Sequence, residues 1–355
     1  MHKQLTVILT ISFILLTPFL FAQNTKDRGE RELHAGLRQY VKKEYTKAFV
    51  FFKQASVLGN ATADLYIGTM YFNGFGVEKN AQKAFDWYLR SADQLNTQAQ
   101  FQVGLMYYDG VYVGQSFAKS AQWIEQAAKL GNPDAQYFYG SMLENGQGID
   151  KNYSKAAEYY QFAKAAGSID AQVALGRLYY QGWGIEQDYH KAYELLSDAA
   201  TKNNPEAFLL LSKMYETGNG VEKSSAKAFE QIQKAASQDY PKAQFELAMH
   251  YIKINDDREA STWLLKSGVN GYPDAEYYIG LSLQKGYLFK KDTPKAIEWY
   301  TKAAEHGQTE AQYSLGLIFS DNKEIPINIE IAKKWLEKAA NKNYQPAIER
   351  LKAIK

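Results

Sequence analysis

The sequence repeats itself with a period of 36 residues, and this repetition constrains the fold more than any single motif does. An alanine opens each repeat, and successive opening alanines lie 36 residues apart except across one interval of 32. They are Ala63, Ala99, Ala135, Ala171, Ala207, Ala243, Ala275, Ala311 and Ala347. One more repeat of 32 residues fits upstream, over residues 31–62. Periods of about 20–50 residues are typical of small units that stack in a row.

Each repeat is predicted to contain two helices, because its apolar residues recur at spacings of three and four. With the opening residue counted as position 1, a glycine ends the first helix shortly after position 11. These glycines are Gly74, Gly110, Gly146, Gly182, Gly218 and Gly286. Position 18 always holds a good N-cap residue and predicts the start of the second helix. These residues are Asn80, Ser116, Asn152, Asp188, Ser224, Asp256, Asp292 and Asn328. Proline two residues before the opening alanine, as at Pro133 and Pro205, suits the first turn of a helix.

Two further positions indicate how the helices pack. Position 6 lies inside the first helix and is glycine in most repeats, where it costs about 1 kcal/mol relative to alanine. We expect this glycine to allow close approach to an alanine of the second helix, such as Ala84 or Ala156. Position 25 is often tryptophan, which we expect to fill the seam between neighbouring repeats. The tryptophans at this position are Trp87, Trp123, Trp263, Trp299 and Trp335.

Three motifs recur along the chain: Leu-Gly-x-x-Tyr in the first helix, Gly-x-Gly-Val in the loop, and Lys-Ala-x-x-Trp-Tyr-x-x-Ala-Ala in the second helix. In these motifs the chain resembles the Sel-one-like repeat (SLR) proteins, which are relatives of the tetratricopeptide repeat (TPR) proteins. The resemblance covers residues 31 to about 345. It implies an all-α fold, a right-handed superhelical solenoid of antiparallel helix hairpins. Residues 31–62 and 243–274 lack the four-residue loop extension and resemble ordinary TPR hairpins.

The N-terminal residues have the layout of a secretory signal peptide. An apolar run over residues 5–22 follows Lys3, and charge returns at Lys26. We expect cleavage after Ala22; the alternative is an uncleaved helix that anchors the protein to the membrane. No lipid-attachment cysteine is present, which excludes a lipoprotein anchor.

The predicted organisation therefore has four parts. Residues 1–22 are a signal peptide, 23–30 a linker, 31–345 a repeat solenoid, and 346–355 a C-terminal capping helix. The repeats of the solenoid start at residues 31, 63, 99, 135, 171, 207, 243, 275 and 311.

Composition excludes several classes of function. Lys and Arg number 41 against 39 Asp and Glu, without a basic block, so nucleic acid is not an expected partner. The chain has no cysteine, and its five histidines show no pair at ligand spacing, so we predict no metal site and no cofactor. After removal of the signal peptide, no run is long and apolar enough to span a membrane.

Two Ser-x-x-Lys tetrads superficially resemble the nucleophile motif of penicillin-recognising enzymes. They are Ser116-Phe-Ala-Lys119 and Ser224-Ser-Ala-Lys227. Both serines stand at position 18, where other repeats carry Asn or Asp, and we therefore interpret them as helix caps rather than nucleophiles.

The remaining candidate site is the concave side that the first helices line in solenoids of this type. By analogy with TPR geometry, positions 7, 10 and 11 are predicted to point into this groove and to contact a protein or peptide partner. The candidate residues are Phe72, Asn73, Leu105, Tyr108, Asp109, Glu144, Asn145, Arg177, Tyr180, Gln181, Lys213, Glu216 and Thr217. The alternative for the aromatic residues among them is packing between adjacent first helices.

The resulting functional hypothesis is a non-catalytic scaffold, periplasmic or secreted, that binds partner proteins, as the resemblance to bacterial SLR proteins implies. Two alternatives stay open at this point. One is a cell-envelope enzyme acting on a wall fragment or a β-lactam, and the other is a wall-polymer binding module.

Overall fold

The computed structural model describes residues 28–321 and 324–354, and every regular element within these ranges is an α-helix. The described residues fall into two compact bodies, an N-terminal body of residues 28–187 and a C-terminal body of residues 188–354. The predicted signal peptide, 1–22, and most of the predicted linker, 23–30, lie outside the described residues. None of the described helices combines the length and the apolar character that a membrane crossing requires.

Nine helices form the N-terminal body, and successive helices pack together as hairpins. The first helix is in place at residue 28, three residues before the predicted start of the first repeat. The helices are α1 (28–41), α2 (Tyr45–Val57), α3 (Ala61–Asn73), α4 (Ala81–Asp93), α5 (Thr97–Asp109), α6 (Phe117–Lys129), α7 (Pro133–Asn145), α8 (Tyr153–Ala165) and α9 (Ile169–Gln181).

Ten helices occupy the described part of the C-terminal body, again as packed neighbours. They are α10 (Tyr189–Thr201), α11 (Pro205–Thr217), α12 (Ser225–Ala236), α13 (Pro241–Lys253), α14 (Asp257–Val269), α15 (Pro273–Lys285), α16 (Thr293–Glu305), α17 (Thr309–Asp321), α18 (Ile329–Ala340) and α19 (Gln345–Ala353). The predicted all-α fold built from paired helices is confirmed.

All eight predicted N-caps of the second helices are confirmed. In each, the position-18 side chain accepts a hydrogen bond from the backbone N–H three residues later, at 2.9–3.3 Å. This satisfies one of the donors that every helix start leaves without an intrahelical partner. At least six first helices have a similar cap, which the sequence did not predict; in α17 the side chain of Gln308 accepts from the N–H of Ala311 at 2.6 Å. The other five cap residues are Asn60, Asn96, Asn132, Ser168 and Asn204.

The predicted glycine ends of the first helices are also confirmed. All six glycines adopt the left-handed conformation, with φ of 70–83°. The second glycine of the Gly-x-Gly loop is needed for a different reason, because the backbone of another helix lies close to it. A Cβ on Gly148 would overlap the backbone of Phe117, and a Cβ on Gly184 would overlap the backbone N of Ser154. The loop of one repeat therefore lies directly on the start of the preceding repeat's second helix.

The structure corrects the predicted partner of the position-6 glycine: the side chain at position 26 lies nearest, and the position-22 alanine contributes at Gly140 through the carbonyl oxygen of Ala156, 3.3 Å from a Cβ. A Cβ on Gly68 would lie 2.6 Å from the ring of Tyr88, and one on Gly280 would lie 2.8 Å from the ring of Tyr300. Both rings belong to residues at position 26, whereas the prediction named the alanine at position 22. The glycine therefore makes room for the largest buried side chain of the second helix. Burial of that side chain offsets the helix propensity that glycine sacrifices.

The predicted role of the position-25 tryptophans in the seam between repeats is confirmed. Trp87 packs against the apolar cluster that joins Phe52 of the preceding repeat to Ile67 of its own, and Trp123 packs against the cluster that joins Tyr88 to Val103. Lysine side chains lie over several of these indoles, as Lys53 does over Trp87 at 4.3 Å. Each repeat thus covers apolar surface of its neighbour.

Buried glutamines at position 2 add a polar link between repeats. The side-chain amides of Gln100 and Gln136 donate to the carbonyl oxygens of Ala92 and Ala128, at 3.3 and 3.2 Å. Those carbonyls lie in the last turn of the preceding helix, and each also accepts from the backbone N–H three residues later. The equivalent bond forms from Gln312 to Ala304 at 3.0 Å.

The position-6 contact predicts the outcome of a substitution that would ordinarily be favourable. A Cβ on Gly104 would overlap the side chain of Ile124. We therefore expect Gly104→Ala to lower the free energy of unfolding by about 1–3 kcal/mol, although the same exchange in an uncrowded helix raises it by about 1 kcal/mol. Urea unfolding of Gly104→Ala, Ile124→Ala and the double variant tests this, because Ile124→Ala should relieve the clash. Additive losses, or stabilisation by Gly104→Ala alone, would contradict the account.

Candidate partner-binding surface

The predicted groove residues belong to the C-terminal halves of first helices, four of them in the N-terminal body (α3, α5, α7 and α9) and one, α11, in the C-terminal body. In the N-terminal body, position 11 is exposed in all four helices. We call these four side chains the position-11 row: Asn73, Asp109, Asn145 and Gln181.

Hydrogen bonds hold two members of the position-11 row along their own helices. The amide of Asn73 donates to the carbonyl oxygen of Thr69, and the amide of Asn145 donates to that of Ser141, both at 2.9 Å. Asp109 is the one charged member of the row. The row therefore offers polar groups of restricted orientation, spaced one per repeat.

The aromatic residues at position 10 are engaged in packing. Tyr108 lies between Phe117 and Phe138, with ring centroids 5.0 and 5.1 Å away, and its hydroxyl donates to Gln147 at 3.3 Å. Phe72 packs against the cluster around Phe85. Tyr180, like Leu105 at position 7, is half-buried. These side chains pack beside the exposed row, and only part of their surface is accessible to a partner.

Glu144 and Arg177 form a buried link between two repeats. Glu144 is 7% exposed, and both of its carboxylate oxygens lie 3.0 Å from the Arg177 guanidinium. The hydroxyl of Tyr160 donates to the same carboxylate at 2.7 Å. Burial, followed by the charge of Glu144, raises the pKa of Tyr160, so this phenol stays a donor. The charges of Glu144 and Arg177 thus compensate each other inside the protein.

The candidates in the C-terminal body are less enclosed. Lys213 is half-buried, whereas Glu216 and Thr217 are exposed. The Thr217 hydroxyl donates to the carbonyl oxygen of Lys213 at 2.9 Å. These residues belong to a different compact body from the position-11 row.

The two Ser-x-x-Lys tetrads are helix caps, as interpreted from the sequence. Ser116 and Ser224 each accept from the backbone N–H of the lysine three residues later, at 3.3 Å. The ammonium groups point to aromatic rings instead: that of Lys119 lies 5.3 Å from the centroid of Tyr107. Within residues 28–321 and 324–354, no group of three His, Asp or Glu side chains is placed to hold a metal ion.

Sequence reasoning missed the Glu144–Arg177 link and the glutamine bonds between repeats. A signal for the link was available, because opposite charges stand at position 10 of one repeat and position 7 of the next. The pair Ala-Gln recurs at positions 1 and 2, but an isolated glutamine gives no indication that it is buried. Gln100 and Gln244 are 2% and 0% exposed.

The family model of the Sel1 repeat matches most of the chain. Its eight matches cover residues 29–60, 61–94, 97–132, 133–168, 169–204, 205–240, 273–308 and 309–344. No match falls on residues 241–272, which include most of the short-loop repeat 243–274.

Solved structures with similar folds include three of bacterial origin. The chain is 29% identical to c5321, a protective antigen present in uropathogenic Escherichia coli strains displaying an SLR fold, with a TM-score of 0.59 over 93% of this chain and 73% of that one. A Sel1 repeat protein from Oxalobacter formigenes is 27% identical, with a TM-score of 0.46 and coverage of 97% and 93%. Immunity protein Pa5087 from Pseudomonas aeruginosa is 23% identical, with a TM-score of 0.48 and coverage of 61% and 83%. No curated protein matches the chain.

The Glu144–Arg177 link predicts a stability effect that depends on which partner is removed. Arg177→Met should lower the free energy of unfolding by about 1–3 kcal/mol, because it takes a cation from a buried carboxylate. Adding Glu144→Gln should restore part of the loss, since the amide carries no charge. As a control, Lys213→Met removes a cation at the same repeat position without disturbing Glu144. Urea unfolding measures both variants. If Arg177→Met and Lys213→Met lower the free energy of unfolding equally, this role is contradicted.

Proposed function

Since the chain belongs to the Sel1 repeat family, we propose that it is an exported, non-catalytic scaffold whose position-11 row binds a partner protein. Sel1 repeat proteins generally mediate protein interactions and are generally not catalysts. The observation that carries the proposal is the row itself: four exposed polar side chains at one repeat position on four first helices of one compact body.

The packing beneath the row supports binding. Side chains that are already ordered lose little freedom when a partner binds, and this preorganisation increases affinity. Tyr108 is wedged between two phenylalanine rings directly before Asp109, and Asn145 is bonded to its own helix directly after the buried Glu144. The row therefore projects from helices that are held in place by packing and hydrogen bonds.

The chemistry of the row indicates the kind of partner segment. Asn, Asp and Gln side chains exchange hydrogen bonds with the backbone of an extended peptide. Asp109 adds a single negative charge, which favours a lysine or arginine of the partner and sets its register. The partner proposed is thus a segment of polar, basic character.

Export is part of the proposal and rests on the sequence of residues 1–22. An apolar run behind Lys3 and before Lys26 is typical of a cleaved signal peptide. The structural relative from uropathogenic E. coli is described as a protective antigen. An exported location of this chain is consistent with that description.

The role of the row is tested by capture from cell-envelope extract with matched charge reversals. Asp109→Arg should weaken partner capture about tenfold, which corresponds to ~1.4 kcal/mol, because it repels a basic partner segment. Asp86→Arg makes the same exchange at an exposed site of a second helix, α4, and should leave capture unchanged. Quantitative mass spectrometry of the captured proteins gives the ratio.

Two outcomes would contradict the proposed role. In the first, both reversals weaken capture equally, so that the effect is one of net charge. In the second, no envelope protein is captured while isolated wall sacculi retain the chain, so that the protein is a wall-polymer binding module.

The export proposal is tested by the mass of the mature chain. Protein recovered from the envelope or medium should begin at Gln23, as intact mass spectrometry would show. Replacement of Leu15 and Leu16 by lysine interrupts the apolar run and should keep the full-length chain in the cytoplasm. Recovery of the full-length chain from the membrane fraction would instead support an uncleaved anchor.

A further inference from the structure

The position-25 tryptophans of the C-terminal body share one arrangement. Trp263, Trp299 and Trp335 each carry a lysine three residues later in the same helix. The ammonium groups of Lys266, Lys302 and Lys338 lie 4.1–4.3 Å from the centroids of these indoles. This is a favourable cation–π distance.

The surroundings of Trp299 define the space that such an indole occupies. A Cβ on Gly268, in the last turn of the preceding second helix α14, would lie 3.2 Å from the indole. The indole also packs into the cluster that contains Ile279 of its own repeat. We call this space the seat. It is bounded by Gly268 at position 30 of one repeat and by Ile279 at position 5 of the next.

The repeat that opens at Ala207 lacks this tryptophan. Its position 25 is Gln231, yet Lys234 keeps the position of the stacking lysine. Ala200 stands where Gly268 stands relative to the later seat, and Leu211 stands where Ile279 stands. The framework of the seat is therefore present without its indole.

A cleft of about 820 Å³ lies at this place, between α10, α11 and α12. Its lining includes Ala200, Leu211, Gln231 and Lys234. Phe208 also lines it, 7% exposed and 6.0 Å from the Lys234 ammonium, which pairs with Glu230 at 2.7 Å. The cleft has the size of ligand pockets in general, which are about 300–1,000 Å³.

Two tyrosines form the polar side of the cleft. The hydroxyls of Tyr193 and Tyr215 lie 3.1 Å apart, and both residues line the cleft. Phenolic oxygens accept hydrogen bonds, which is what an indole N–H requires of a site that buries it.

We propose that this cleft is a binding site for a tryptophan side chain of a partner protein, which takes the place that Trp299 fills in its own repeat. The apolar base of Phe208 and Leu211 covers the ring faces, Lys234 lies where a cation stacks on an indole, and a tyrosine hydroxyl accepts from the indole N–H. Tryptophan is one of the residues enriched among the side chains that anchor protein interfaces in well-packed pockets. The site lies in the C-terminal body and does not depend on the position-11 row.

The test uses the full chain and an acetylated, amidated pentapeptide of four alanines around a central 5-fluorotryptophan, followed by fluorine NMR. The peptide should bind the native chain, and the same peptide with leucine at its centre should not displace it. Gln231→Trp places an internal indole in the seat and should weaken binding by at least about tenfold, the scale of a buried aromatic anchor. It should also raise the thermal midpoint of unfolding.

Gln233→Trp is the matched control. It makes the same exchange in the same helix at an exposed residue that does not line the cleft, and it should bind the peptide like the native chain. Circular dichroism confirms that each variant is folded, and native-chain binding decides the question even if Gln231→Trp does not fold. Absence of peptide binding to the native chain, or equal binding to the Gln231→Trp chain, overturns the proposal. Asp109→Arg should leave peptide binding unchanged, so the site and the position-11 row are tested separately.

Discussion

Burial of apolar surface between neighbouring repeats is the interaction on which this structure depends. Neighbouring repeats complete each other's apolar face: the cluster around Tyr88 and Ala92 of one repeat is completed by Ala99 and Val103 of the next. Such burial contributes about 25 cal/mol for each Å² removed from water. A fold built in this way gains stability from nearest neighbours, and each seam is a separate site of packing.

The sequence predicted the local features of the fold well and the contacts between helices less well. The N-caps at position 18 and the glycine ends of the first helices were predictable, because each is decided by a few adjacent residues. The partner of the position-6 glycine was not. Sequence spacing placed Ala84 opposite Gly68, whereas the structure places the ring of Tyr88 there, one helical turn further on. Which turn faces a glycine depends on how the two helices are shifted along each other, and spacing alone does not fix that shift.

The candidate surface shows the same difference between local features, which the sequence predicts, and contacts between helices, which it does not. The exposed members of the predicted groove are the side chains at position 11 and, in the C-terminal body, Glu216 at position 10. The sequence located them by their place in the repeat. The fate of their neighbours depended on tertiary contacts. Tyr108 lies between rings of the same and the following repeat, and Glu144 is neutralised by an arginine 33 residues away. Similarly, the glutamine at position 231 predicts nothing by itself. The structure shows a cleft there, at the position where other repeats hold an indole.

Hydrogen exchange of the native chain, measured by mass spectrometry, tests most directly whether seam packing governs local stability. Amide exchange reports the local free energy of opening, which falls where apolar contacts are few. The helix α12, whose seam lacks a tryptophan, is predicted to exchange faster than α16, whose seam holds Trp299. Exchange in α12 as slow as in α16, or slower, would contradict the claim that the seam contacts hold each repeat in place.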